Sequence, residues 1–191
     1  MSNAKVTNIY KIQHAEGIEW LLPVNERDYE MLILDGRPRG SSWKPVMMTR
    51  LKDYGDGTLV RPSDFPCGAG GGTYLTMSDA AKQKIGASLK GYGEFLPFKC
   101  DEGNFWAFHV THFVDALDKE ASEVLRAPDD PNVILMIHKH VFRPEKLTTD
   151  WMFKLPYARG RSDIYVTDAF VNLIRTSELT GLNFKRVWPH S

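Results

Sequence analysis

The amino-acid sequence predicts an α+β protein of largely antiparallel sheet with a few helices, built as a single main domain. Three observations carry this expectation. Short runs rich in aromatic and β-branched residues recur along the whole chain, three helical stretches are set among them, and no regular strand–helix–strand alternation joins them as a parallel sheet would require. With 191 residues, 42% hydrophobic and 25% charged, the composition is that of an ordinary globular chain. A chain of this length buries roughly 70% of its unfolded surface and needs no metal or disulfide staple.

In chain order, Val6 to Ile12 and Ile18 to Val24 read as strands separated by the turn Ala15-Glu16-Gly17. From Asp53 to Gly72 the chain collects six glycines and two prolines, which predicts a long flexible loop and marks an internal boundary. Residues 1–73 are therefore expected to form an N-terminal β-rich segment ending in a glycine-rich loop, and residues 74–191 the main α+β unit. Ser78 is placed to cap a helix whose apolar positions are Ala80, Ala81, Ile85 and Leu89 and which Gly91 ends. Phe95 to Lys99 and Asn104 to Ala116 have strand composition, and Asp118 to Arg126 suits a short helix. Val133 to Phe142, Trp151 to Leu155 and Ile164 to Val166 are further strands. A helix near Asp168 should turn Phe170, Val171 and Ile174 inward and end before Gly181, and Leu182 to Trp188 closes the chain as a strand.

The charge pattern narrows the partners. Lysine and arginine number 24, as do aspartate and glutamate, so no global field favours nucleic acid or an anionic membrane surface. The longest apolar runs fall far short of the ~20 residues that span a bilayer. Two cysteines, Cys67 and Cys100, are too few for a disulfide framework, and without a signal peptide a reducing cytoplasm is the expected location.

Several residues invite a chemical reading. The run Cys67 to Thr73 could cradle a phosphate with its backbone amides, but it lacks the Gly-Lys-Ser/Thr ending and does not open directly into a helix. Cys67 with His109 or His138 as base would make a hydrolase or a small-ligand site on the same loop, although neither cysteine has signature flanks. His109, His112, His138 and His140 could in principle meet on a zinc ion. On regular strands, however, His109 and His112 point to opposite faces and only His138 and His140 share one, so these read as polar positions on half-exposed strands. No catalytic residue, metal site or cofactor is expected. The acidic stretch Asp115, Asp118, Glu120, Glu123, Asp129 and Asp130 stands against Lys119 and Arg126 alone, a local balance of minus four. Such a stretch is either a solvated face or a docking patch that speeds encounter with a basic partner.

One succession of short motifs is more informative than its parts. Ser78-Asp79 with Leu89, Gly93-Glu94-Phe95-Leu96-Pro97, Val114-Asp115-Ala116-Leu117-Asp118 with Ser122, Phe153-Lys154-Leu155, Val166-Thr167-Asp168 and Leu179-Thr180-Gly181-Leu182-Asn183-Phe184 follow in this order. The succession resembles a bacterial immunity-protein family of polymorphic toxin systems, over about Tyr74 to Val187. The resemblance implies a non-enzymatic protein made beside a cognate toxin, which it binds and neutralises, and it carries over no catalytic residue. On this reading the acidic stretch steers a basic toxin, and Trp43, Trp106, Tyr157 and Trp188 are candidate aromatic anchors.

Overall fold

A computed structural model describes residues 8–53, 55–70, 72–147, 150–157 and 163–189. Its elements in order are β1 (Ile9–His14), β2 (Trp20–Pro23), a 3-10 helix (Glu26–Leu32), β3 (Met48–Leu51), β4 (Cys67–Gly68), β5 (Leu75–Ser78) and α1 (Asp79–Ile85). Then come β6 (Gly93–Pro97), β7 (Phe105–Val110), β8 (Glu123–Ala127), β9 (Asp130–Lys139), β10 (Met152–Phe153), β11 (Tyr165–Thr167), α2 (Asp168–Thr176) and β12 (Leu182–Trp188). This is the expected α+β class. Of the first expected strand, Val6 and Thr7 lie outside the described residues.

The strands form an antiparallel sheet ordered β10-β11-β1-β12, a mixed sheet β3-β2-β4, an antiparallel sheet β5-β7-β6 and the ribbon β8-β9. β1 is central to the first sheet, between β11 and β12, so this strand is built into the C-terminal part of the chain. The helices form for the expected reasons. Ser78 Oγ accepts a hydrogen bond from the Ala81 amide at 3.1 Å, capping α1. α2 buries Phe170, Val171 and Ile174, and its Asp168 carboxylate is held by Asn8 and by the Tyr10 hydroxyl at 3.0 Å.

Apolar clusters join the elements across long sequence distances. One packs Phe65, Leu75, Met77 and Phe108 against Val166 and Phe170, and another packs Leu21, Leu34 and Met48 against Tyr74, Leu96 and Phe105. With Ile9 joining the cluster of Leu117, Phe142 and Phe153, side chains from both sides of the junction at residue 73 share all three clusters.

Three local expectations are corrected. The Asp118 to Arg126 stretch is not a helix: Asp118 Oδ1 accepts from the Glu120 and Ala121 amides, tightening a turn, after which Val124 and Leu125 pair with β9. The strand expected to reach Ala116 ends at Val110, because Thr111 and His112 donate their amides to the Tyr92 carbonyl and turn the chain out of the sheet. The glycine-rich segment is not simply a loop: Cys67 and Gly68 pair in parallel with Trp20 and Leu21. A Cβ at Gly68 would sit 2.2 Å from Thr76 Oγ1, and one at Gly70 would sit 2.1 Å from the Tyr74 ring. Glycine is needed there for close packing.

Candidate partner-binding surface

The β8-β9 ribbon carries three of the six acidic residues singled out from the sequence, Glu123, Asp129 and Asp130. Pairing of Ala127 with Asp130 leaves a two-residue connection, and Leu125 stands opposite Met136. The register slips between Leu125 and Arg126, so that Leu135 has no partner across the ribbon and bulges. Ile134 on the inner side joins a buried cluster with Leu117, Phe142 and Phe153. On the outer side Leu125, Leu135 and Met136 remain 50%, 55% and 53% exposed. A strip of three large apolar side chains thus faces outward from a two-stranded ribbon.

Acids flank this strip at both ends. Glu123 pairs with Lys139 at one end of the ribbon, where their charged groups stand 3.9 Å apart, and the turn carrying Glu120 leads into that end. Asp129 and Asp130 form the opposite tip, about 13 Å of strand away at ~3.3 Å per residue. Of the two basic side chains of the stretch, Arg126 stays on the ribbon, its guanidinium donating to the Pro131 carbonyl beside Asp130 at 2.8 Å, and Lys119 lies 3.7 Å over the Tyr157 ring. Asp115 stands apart, paired with Arg143 at 3.2 Å. The structure therefore brings Asp118, Glu120 and Glu123 together, sets Asp129 and Asp130 at the other end, and gives Asp118 a turn-forming duty of its own.

The expected aromatic anchors are used by the fold. Trp43 donates its ring N–H to the Pro97 carbonyl at 2.8 Å and packs on Phe98. Trp106 donates to Asp79 at 3.1 Å beneath Lys82. Tyr157 lies under Lys119, and Trp188 packs edge-on against Phe142. Among the described residues the exposed aromatics are instead Trp20, Tyr29 and Phe113.

The histidines do not converge. His109 is fully buried; its Nε2 accepts from the Gly36 amide at 3.0 Å, which places the ring proton on Nδ1, facing Glu94 Oε1 at 3.1 Å. His112 meets Asp150, and His140 is buried against the Tyr165 hydroxyl at 3.1 Å. His138 stays exposed on the ribbon because the slip between Glu123 and Val124 leaves it unpaired, which overturns the expectation that His138 and His140 share a face. Among the described residues no group of three or more potential ligands is placed to hold a metal ion.

Glu94, from the motif after α1, serves backbone amides. Its oxygens accept from Arg39 at 2.6 Å and Gly40 at 2.9 Å. Burial alone would raise its pKa, but these amides and His109 outweigh burial and hold the carboxyl below its ordinary range. Burial, the largest influence on His109, pushes the imidazole below its ordinary value against the pull of Glu94. Gly93 beside it allows β6 to approach β7, since a Cβ there would sit 2.2 Å from the His109 carbonyl oxygen. Lys154, also fully buried, donates to the Thr73 carbonyl at 2.7 Å, and burial lowers its pKa to about 8. These groups brace the 34–40 segment and the 73–74 junction from inside.

Cys67 is buried, and burial pushes its thiol up to about 11. A thiolate nucleophile needs the opposite shift. Among the described residues no helix is long and apolar enough to cross a membrane.

The sequence model of an immunity protein family, Imm11, matches residues 62–188. No curated protein matches the chain.

Proposed function

Since the chain belongs to the Imm11 immunity protein family, we propose that it binds a cognate protein toxin of a polymorphic toxin system in the cytoplasm and neutralises it without catalysis. The observation that carries the location of the contact is the ribbon strip Leu125, Leu135 and Met136 with its acidic flanks. Stable interfaces place apolar anchors at the centre and charged groups on the rim, and truncating a central anchor commonly costs more than 2 kcal/mol. Complementary charge at the rim acts mainly on the rate of encounter, so the acids select for a basic toxin surface.

Blocking a toxin by contact requires only a persistent complex. About 800 Å² on each partner suffices, and one ribbon with its adjoining turns can present such a face. The test is co-expression with the product of the adjacent reading frame. The expected outcome is a stoichiometric complex that survives purification and relief of the growth arrest caused by that product alone. Growth relief without any complex would point to enzymatic reversal of the damage and defeat this reading.

A further inference from the structure

A second exposed apolar face lies outside the stretch that matches the family model. On β2 and β3 the cross-strand partners Trp20 with Leu51 and Leu22 with Thr49, extended by the hydrogen bond from the Val24 amide to the Met47 carbonyl, share the side opposite to buried Leu21 and Met48. On that outer side Val24 is 61%, Met47 41% and Trp20 36% exposed. The 3-10 helix Glu26–Leu32 borders it, and between them lies an open cavity of about 600 Å³ lined by Leu22, Pro23, Val24, Glu26, Tyr29 and Thr49.

The lining defines what it can hold. Leu22, Pro23 and Val24 give aliphatic walls, Thr49 adds a hydroxyl, Tyr29 offers a ring, and Glu26 supplies a carboxylate. The matching occupant is a long side chain with an apolar stem and a cationic head, that is, an arginine or lysine. The bordering helix repeats this preference, carrying Glu26, Asp28 and Glu30 against Arg27. Arg50 of β3 stands opposite Leu21 on the other side of the sheet, paired with buried Glu19 at 2.6 Å. A second copy of this chain is a poor occupant, because a two-fold contact would bring these acids against the same acids.

We infer that this cavity receives an arginine or lysine side chain of a basic segment of the toxin, as a contact additional to the ribbon. The identity of that partner rests on the function proposed above; the chemistry of the occupant rests on the lining. Because the face is built from residues 20–51 and the family match begins at residue 62, the contact belongs to this chain's own N-terminal part and is suited to setting which toxin is recognised.

The test measures toxin affinity for the full-length wild type and for Glu26→Lys, Tyr29→Ala and the control Lys185→Ser, exposed on β12 and part of neither proposed contact, with melting temperature and size-exclusion profile recorded for each. The inference expects Kd to rise at least tenfold for Glu26→Lys and severalfold for Tyr29→Ala, with unchanged melting, a monomeric profile and a control equal to wild type. Wild-type affinity in both cavity variants would overturn the inference and leave the proposed function standing. A dimer in the wild type that Glu26→Lys dissolves would assign the face to a second copy and overturn it too. Absence of any complex with the wild type would remove the proposed function itself.

Discussion

At the scale of single residues, the charged groups divide into those that hold the chain and those available to a partner. His109 is held neutral by burial while its unfolded counterpart titrates near 6.5. The unfolded chain therefore binds more protons as pH falls below about 6.5, so folding stability should drop on acidification through that window, with His14, also depressed by burial, adding in the same direction. Denaturant melts at a series of pH values should show this slope, reduced in His109→Gln; an unchanged slope would mean that His109 titrates normally. Asp118 caps a turn, so charge reversal there would confound folding with binding. Glu120 and Glu123 are exposed, and Glu120→Lys with Glu123→Lys should slow toxin association at low salt, with the difference fading as ionic strength rises. Stopped-flow association rates decide this, and equal rates at low salt would dismiss steering. The partners of Glu94 were not legible in the sequence, since Arg39 and Gly40 lie some 55 residues away. The fates of His109 and Cys67 were illegible for the same reason: burial depends on contacts distant in sequence.

At the scale of elements, local signals were sufficient where a single helix or strand makes its own case. Ser78 caps α1 and Phe170, Val171 and Ile174 form the inner stripe of α2, both as the pattern dictates. Ser78→Ala should cost about 1 kcal/mol of stability. By contrast Leu125→Asp or Met136→Asp, at positions half exposed on the ribbon, should change stability by no more than about 0.5 kcal/mol and weaken toxin binding about thirtyfold, equivalent to roughly 2 kcal/mol. Chemical denaturation alongside titration calorimetry separates the two effects. The misreadings occurred where pairing overrides propensity. Asp118 to Arg126 has a helical balance of residues, yet Val124 and Leu125 find partners on β9. Cys67 and Gly68 form a strand only because β2 lies alongside. Bulges, which rotate Leu135 and His138 out of register, are invisible to a period-two reading.

At the scale of the whole molecule, the class was legible because strand composition dominates and never alternates regularly with helices, but the arrangement of sheets was not. β1 at the N-terminus completes the sheet of β11 and β12, and Leu21, Leu34 and Met48 share a core with Tyr74, Leu96 and Phe105. We expect residues 1–73 and 74–191 to unfold together in one cooperative transition, and an excised 74–191 fragment, missing the central strand of its first sheet, to lack a cooperative melt; a fragment that melts sharply by itself would show the two parts to be independent. The shared core joins the N-terminal strands, whose residues precede the family match, to the matched stretch. The central claim is that the β8-β9 ribbon is where the toxin is held. Hydrogen–deuterium exchange of the full chain, free and saturated with the adjacent gene product, tests it most directly. Strong protection of the amides from Glu123 to Lys139 on complex formation is the predicted result, and unchanged exchange across that ribbon in a saturated complex would contradict it.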